Sequence, residues 1–155
     1  MLYTLNMSTL AKNRRAYFDY HITETFEAGI VLSGQEVKSA KFGGAQLTGA
    51  YAKIMGDEAF LINGHIKPYQ HAGKLDDYDP EHSRKLLLHK NEIRKIEERI
   101  REKRMTLLPL EFFTKAGRIK VRLGIGKSKK EFDKRETIKK RETDRKIQHH
   151  LRGKL

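Results

Sequence analysis

The sequence has no cysteine, no tryptophan, three prolines in 155 residues, and no apolar run that approaches the ~20 residues of a membrane span. The missing cysteines remove disulfides, thiolate zinc sites and cysteine nucleophiles together, which fits a reducing compartment. The first residues lack the apolar stretch of a secretory signal, so a cytoplasmic protein is expected. Residues 1–6 show no periodic pattern, and Met7 offers an alternative start.

Catalytic chemistry is equally hard to find. Gly126-Lys127-Ser128 ends like a phosphate-binding loop, but that motif needs a glycine five residues before Gly126, where Val121 stands inside an alternating strand. The seven histidines show neither i, i+4 pairing on a helix nor the clustering that a metal ion requires. Carboxylates are plentiful, yet they stand among lysines and arginines at helical spacing, Glu131 with Arg135 and Glu136 with Lys140, the pattern of solvated ion pairs. No nucleophile stands beside a recognisable base. An enzyme, a bound metal and a cofactor are therefore not expected.

Positive charge is what the chain has in excess: 33 Lys/Arg against 20 Asp/Glu, a formal net charge of +13. Residues 127–155 hold 12 of those Lys/Arg against five Asp/Glu, a net +7 that leaves +6 on residues 1–126. Both parts are basic enough to bind a polyanion. The length and the 37% hydrophobic content allow one domain of about 120 residues with a modest core, residues 1–126, plus an appendage, residues 127–155. The large apolar side chains of that tail are Phe132, Ile138, Ile147, Leu151 and Leu155, too few to form a core, so disorder in the free protein is expected. On a helical wheel, Lys134, Arg141 and Arg145 share one face and Arg135, Lys139 and Lys146 another. A helix on a membrane surface has one charged face and one apolar stripe, whereas charge on every side suits a helix surrounded by phosphate. The tail reads as a segment that becomes helical inside an RNA-walled groove.

Within residues 1–126 the patterns are mainly those of strands. Residues 17–25 and 26–32 read as two strands, with Gly29 marking a bulge or bend. Ser33 followed three residues later by Glu36 is capping-box spacing for a short helix that ends at Gly43-Gly44. Residues 50–55 and 58–65 flank Gly56-Asp57 as a hairpin, and a polar loop spans residues 67–82. The longest helix of the body is expected over residues 83–104, from Leu86, Ile93, Ile96 and Ile100. A last hairpin pairs residues 107–113 with 118–123, where Ile119, Val121 and Leu123 face in and Arg118, Lys120 and Arg122 face out. The expected fold is mainly β: a small six-stranded antiparallel OB-like barrel with flanking helices and a disordered basic C-terminal tail.

Three constellations fit RNA. Asn13-Arg14-Arg15-Ala16-Tyr17-Phe18-Asp19-Tyr20 runs basic residues into aromatics that can stack on unpaired bases while Arg14 and Arg15 hold phosphate, although strand alternation alone would bury one side of them. In Arg84-Lys85-Leu86-Leu87-Leu88-His89-Lys90, three successive leucines on a helix cannot share one core, which leaves Leu87 on a rim or a binding surface. The tail opens with Lys127-Ser128-Lys129-Lys130-Glu131-Phe132-Asp133-Lys134-Arg135, a lone aromatic in a lysine-rich run.

Phe26-Glu27-Ala28-Gly29-Ile30, Glu36-Val37-Lys38-Ser39, His65-Ile66-Lys67-Pro68-Tyr69, Arg84-Lys85-Leu86-Leu87-Leu88-His89-Lys90-Asn91-Glu92-Ile93 and Asp133-Lys134-Arg135-Glu136 resemble in order and register the SmpB family, the tmRNA-binding proteins of bacterial trans-translation. The resemblance covers roughly residues 13–151. It implies an OB-type barrel bound to the tRNA-like domain of tmRNA, with Glu27, Leu87 and His89, flanked by Arg84, Lys85, Arg14 and Arg15, on the contact surface. It implies a tail that becomes helical in the empty mRNA channel of a stalled ribosome, with Lys127, Lys129, Lys130, Asp133, Lys134, Arg135 and Ile147 against small-subunit rRNA. Elongation factor Tu and alanyl-tRNA synthetase would be partners through the tmRNA. Many members of the family carry histidine at the position of Phe18, and histidine or another aromatic at that of Phe132, both beside the decoding nucleotides. Phenylalanine there can stack but can neither donate a hydrogen bond nor take up a proton.

Two other functions compete with this one. A general OB-type ribosomal or initiation-factor-like protein would use the tail only for added affinity. A metal-dependent nuclease would need Asp133, or the acids at Asp76, Asp77 and Asp79 near His82, to converge.

Overall fold

The structure is a computed structural model that describes residues 7–73 and 77–153, with the side chains of residues 131 and 132 left out of the description. In chain order it contains β1 (Ser8–Lys12), α1 (Arg14–Asp19), β2 (Tyr20–Ile30), α2 (Gly34–Lys41), β3 (Ala45–Gln46), β4 (Tyr51–Met55), β5 (Glu58–Ile62), β6 (His65–Ile66), β7 (Arg84–Leu87), α3 (Lys90–Lys103), β8 (Thr106–Lys115), β9 (Arg118–Ser128) and α4 (Glu131–Gly153). Seven strands form one antiparallel sheet in the order β1-β8-β9-β2-β7-β5-β4, and β3 pairs with β6 in a second, two-stranded sheet.

The alternation of β9 sets the core. Ile119, Val121, Leu123 and Ile125 point inward and are buried with Ala28, Leu61, Leu86, Ile96 and Phe112. The sheet curls until β4 comes near β8, but among the described residues no ladder joins them, so it stays open where a closed six-stranded barrel was expected.

Several elements fall where the sequence puts them. The Ser33 hydroxyl accepts the Glu36 N–H at 3.3 Å while the Glu36 carboxylate accepts the Ser33 N–H at 3.0 Å, closing the capping box at the start of α2. The β4–β5 hairpin turns at Gly56, whose φ of 64° lies in the left-handed region, and β8 and β9 pair around Ala116-Gly117.

Two segments differ. Residues 17–32 are not two strands. Tyr17 and Phe18 belong to α1, because the buried Asn13 caps that helix by accepting the Ala16 N–H at 3.3 Å and ties it to β8 by donating to the Pro109 carbonyl at 2.9 Å. β2 then runs unbroken through Gly29, and its irregularity lies between Ile22 and Glu24.

The helix expected over residues 83–104 begins only at Lys90. Residues 84–87 form β7, wedged between β2 and β5, and alternate buried and exposed from Arg84 inward to Leu87 outward. Sheet pairing on both sides overrides the helix propensity of Lys and Leu. The Ile93 and Ile96 part of the apolar stripe does pack inward from α3.

The tail, expected to be disordered when free and helical when bound, is helical from Glu131 to Gly153 in this structure. Strong helix formers and neighbouring opposite charges supply that local preference. Beyond Thr137 every described residue is exposed, so tertiary burial adds almost nothing. β9 continues through Ser128, which puts the junction between body and tail at Lys129-Lys130 instead of after Gly126.

Candidate nucleic-acid interface

One face is built where β2 runs beside β7. Antiparallel pairing sets Gly29 opposite Leu87, and extending that register by two residues brings Glu27 across from His89. Alternation along β7 sends Lys85 and Leu87 to the solvent side, and His89 follows them as the N-cap residue of α3. Leu87 is 52% exposed, held up on a sheet that buries Leu86 directly beneath. Gly29 leaves room for it, since a Cβ at that position would lie 3.2 Å from the Leu87 Cβ. Lys120 of β9 pairs with Gly29 from the other side, so a shallow groove runs past Glu27, Leu87, His89, Lys85 and Lys120. The His89 N–H donates to the Glu92 carboxylate at 3.0 Å, which fixes the backbone from which the exposed imidazole projects.

Charge in this groove is mixed in a way that suits RNA. Lys115 donates to Glu27 at 3.0 Å, and Lys85 donates to Glu58 at 3.1 Å, both at exposed positions where the pairs can exchange partners. Lys85, Lys115 and Lys120 can hold phosphate. The Glu27 carboxylate can only accept, so it suits an RNA donor: a base amino or imino group or a ribose 2′-hydroxyl. Leu87 supplies an apolar contact for a base or ribose face.

Arg84, expected on the same surface, is not there. It is the inward member of the β7 alternation, 1% exposed, and its guanidinium is fully engaged. Nε donates to Glu36 Oε2 at 2.8 Å, Nη1 to the Gly64 and His82 carbonyls at 2.6 and 3.2 Å, and Nη2 to the Tyr78 hydroxyl and Pro80 carbonyl at 3.3 and 2.8 Å. The Tyr78 hydroxyl donates in turn to the Ile66 carbonyl at 2.7 Å, and His82 Nε2 lies 2.9 Å from the same Glu36 carboxylate. Burial pushes the Glu36 carboxyl up, but the Ser33 N–H, Arg84 and His82 outweigh it and hold the group below the usual carboxylate range. Arg84 is thus the pin that ties α2, β7, Gly64 and residues 78–82 of the loop together.

A second constellation lies at the root of the tail. The Lys129 N–H donates to the Asp19 carbonyl at 2.8 Å, Lys134 Nζ lies 3.3 Å from Asp19 Oδ1, and Asp133 lies 3.5 Å from His21 Nε2. Asp133 also accepts the Lys130 N–H at 3.3 Å, capping the helix start. About two turns further on, the Arg141 guanidinium sits 5.4 Å from the centre of the Phe18 ring. Burial works to raise the Asp19 carboxyl, yet Arg15 and Lys134 overcome it and keep the group below its ordinary range. Lys127 and Lys130 are exposed beside this junction, Lys129 donates to the Thr137 hydroxyl at 3.0 Å, and Arg135 and Ile147 project from α4. Phe18, through Arg141, and Asp133 and Lys134, through His21 and Asp19, thus lie at one junction of body and tail.

Arg14 and Arg15 fall with this second constellation. They sit on α1, before the first residue of β2, and seven residues of strand at about 3.3 Å each separate Tyr20 from Glu27. They are exposed, and Arg15 pairs with Asp19 at 2.9 Å. Asp76 and the Phe132 side chain lie outside the described residues. Asp133 is committed to the helix cap and His21, and among the described residues no cluster of three metal-binding side chains occurs. Lys120 and Gly29 are the members of the first groove that site reasoning missed; the outward position of Lys120 in an alternating strand was the available signal.

The family model described as SmpB protein matches residues 10–153. The SsrA-binding protein of Chloroflexus aggregans is 46% identical over 152 residues, covering 98% of this chain and 96% of its own length. That of Trichodesmium erythraeum is 46% identical over 143 residues, 92% of each chain. A solved chain described as "tmRNA-SmpB: a journey to the center of the bacterial ribosome" aligns with a TM-score of 0.65 at 42% identity, covering 80% of this chain and 87% of that one. The match runs through the sheet, both constellations and the tail helix at an identity that leaves no other assignment: the chain belongs to the SmpB protein family.

Proposed function

We propose that this chain is a non-enzymatic RNA-binding adaptor of trans-translation, which binds the tRNA-like domain of tmRNA with the sheet and reads the stalled ribosome with α4. The observation that carries it is the outward row of Lys85, Leu87 and His89 beside Glu27 and Lys120, in a chain whose relatives are SsrA-binding proteins. On this face the lysines position phosphate, Glu27 accepts from a base edge or a ribose 2′-hydroxyl, and Leu87 loses water against RNA.

The second group serves the ribosomal step. Lys127, Lys129 and Lys130 engage rRNA at the mouth of the mRNA channel, and α4 enters it, with Asp133, Lys134 and Arg135 as the anchoring turn and Ile147 further in. Phe18 and Phe132 act by stacking. The Lys134–Asp19 ion pair and the Asp133–His21 contact that dock α4 are partly exposed, so RNA phosphate can compete for Lys134, and the helix frays or undocks in the free protein. Ordering costs ~1–2 kcal/mol per residue. Phosphate contacts offset that cost only where the channel holds no mRNA, so occupancy becomes readable. Elongation factor Tu and alanyl-tRNA synthetase meet the adaptor through the tmRNA, and the cytoplasm is where ribosome and adaptor meet.

Leu87→Asp tests the first face. It removes an apolar contact worth ~1–2 kcal/mol and sets a negative charge against phosphate, so affinity for the isolated tRNA-like domain should fall by at least about tenfold. The side chain is half-exposed, so the melting temperature should stay near wild type. Gel-shift titration checks this, and unchanged affinity would remove Leu87 from the interface.

A further inference from the structure

At the C-terminal end of α2 lies a second aromatic surface, which the preceding assignment does not use. Phe42 is 76% exposed, the highest value for a large apolar side chain among the described residues. Its ring stacks on Tyr69 with centres 6.0 Å apart and planes 23° from parallel, and His71 meets Tyr69 edge-on at 5.4 Å. Lys38 Nζ stands 5.9 Å from the centre of the Tyr69 ring, and the exposed Lys67 lines the same pocket.

The backbone under this surface is held firmly. Gly43, with φ of 87°, turns the chain out of α2. At Gly44 a Cβ would collide with Ser39 Oγ at 2.2 Å, which lets the Ser39 hydroxyl donate to the Lys67 carbonyl at 2.5 Å and the Lys67 N–H donate to the Gly44 carbonyl at 3.0 Å. The Tyr69 N–H donates to Gln35 Oε1 at 3.0 Å. The two rings are thus presented by hydrogen-bonded backbone, with the outer face of Phe42 open.

We propose that Phe42 and Tyr69 form a platform for one unpaired RNA base, which extends the Phe42–Tyr69 stack while Lys38 and Lys67 hold the flanking phosphates. Charge favours RNA over a protein partner. Among the described residues no carboxylate lines the pocket, and the lysines of the last turn of α2, Lys38 and Lys41, offset the partial negative charge of that helix end. The platform also sits within reach of the first face. Lys41 donates to the Gly117 carbonyl at 3.2 Å, at the tip of the hairpin whose Lys115 pairs with Glu27.

The test uses the full chain and two short unstructured oligoadenylates of equal charge, one with a central 2-aminopurine and one abasic at that position. Wild type should quench the 2-aminopurine and bind it about tenfold tighter than the abasic strand, the effect of one stacked base. Phe42→Ala should abolish that preference, Phe42→Trp should keep it, and Lys38→Gln should weaken both strands alike. Phe18→Ala controls for stacking at the tail root and should leave the preference intact. Because Phe42 is exposed, an unchanged melting temperature is expected for Phe42→Ala. A preference retained in Phe42→Ala, or lost only in Phe18→Ala, or absent from wild type as for a protein-docking patch, overturns the platform. No arm uses tmRNA, so the outcome is independent of the Leu87 experiment.

Discussion

A chain ended at Lys130 is expected to fold, to bind the tRNA-like domain of tmRNA at close to wild-type affinity, and to support no peptide tagging on stalled ribosomes. The cut keeps β9 whole and preserves the Lys129 N–H bond to the Asp19 carbonyl. It removes nine Lys/Arg and five Asp/Glu, a net +4, and no buried hydrophobic residue beyond Ile125 exists among the described residues to be lost with them. The tertiary contacts that go are the part-exposed pairs of Asp133 with His21 and Lys134 with Asp19, the Lys129–Thr137 hydrogen bond and the Arg141–Phe18 contact, each worth about 1 kcal/mol or less. Stability should therefore change little. Tagging should vanish because the one basic segment long enough to occupy the mRNA channel is gone. The same weak docking predicts fast amide exchange across residues 137–146 in the free protein; slow exchange there would mean that α4 is a stable part of the body. A truncated chain that tags at the wild-type rate would exclude channel sensing by the tail.

The second large effect is on stability. Arg84→Ala should cost about 3–5 kcal/mol, the usual result of removing one partner of a buried ion pair, and lower the melting temperature by roughly 10–20 °C. Glu36 would be left buried without its main cation, and the Gly64 and Pro80 carbonyls would lose their donors. Arg84→Lys should recover little, since one ammonium cannot span Glu36, Tyr78 and three carbonyls. Were Arg84 instead an RNA contact, the substitution would weaken binding without touching the melt. Acid should act on the same network. The Glu36 carboxyl is held below its ordinary value of 4.5, so its stabilising contribution is complete above that pH and is lost as pH falls through the lower, folded value. Glu36→Gln should flatten that part of the stability profile, a change that thermal melts between pH 6 and pH 3 would detect, with those pH limits chosen as a rough bracket of the carboxylate range.

Much of the sheet is legible in the sequence because its signals are local. Gly56-Asp57 and Ala116-Gly117 mark two hairpins, and the alternation of Ile119, Val121 and Leu123 assigns one face of β9 without a fault. Residues 84–89 show what local signals miss. Lys and Leu favour a helix, yet the segment also alternates, Arg84, Leu86 and Leu88 against Lys85, Leu87 and His89. Pairing with β2 and β5, both distant in sequence, decides between the two. Leu87 emerges on the surface in either case, for a strand reason and not a helical one. Arg84 could not be placed from its type, because an arginine in a basic stretch reads as a phosphate ligand until Glu36, 48 residues earlier, is known to face it. The open seam between β4 and β8 and the capture of Tyr17 and Phe18 by α1 likewise depend on contacts that local pattern does not encode.

The central claim is that the sheet binds tmRNA while the tail reads the ribosome. Replacing Asp133, Lys134 and Arg135 together with alanine tests it most directly, with affinity for the tRNA-like domain and tagging on stalled ribosomes measured side by side. Chain length stays unchanged, the helix cap from Asp133 is lost, and Lys134 and Arg135 can no longer anchor to phosphate. The account predicts wild-type affinity for the RNA domain with tagging reduced by at least about tenfold, the effect of losing two charge-assisted phosphate contacts. Wild-type tagging, or a loss of tmRNA binding that accounts for the loss of tagging, would contradict it.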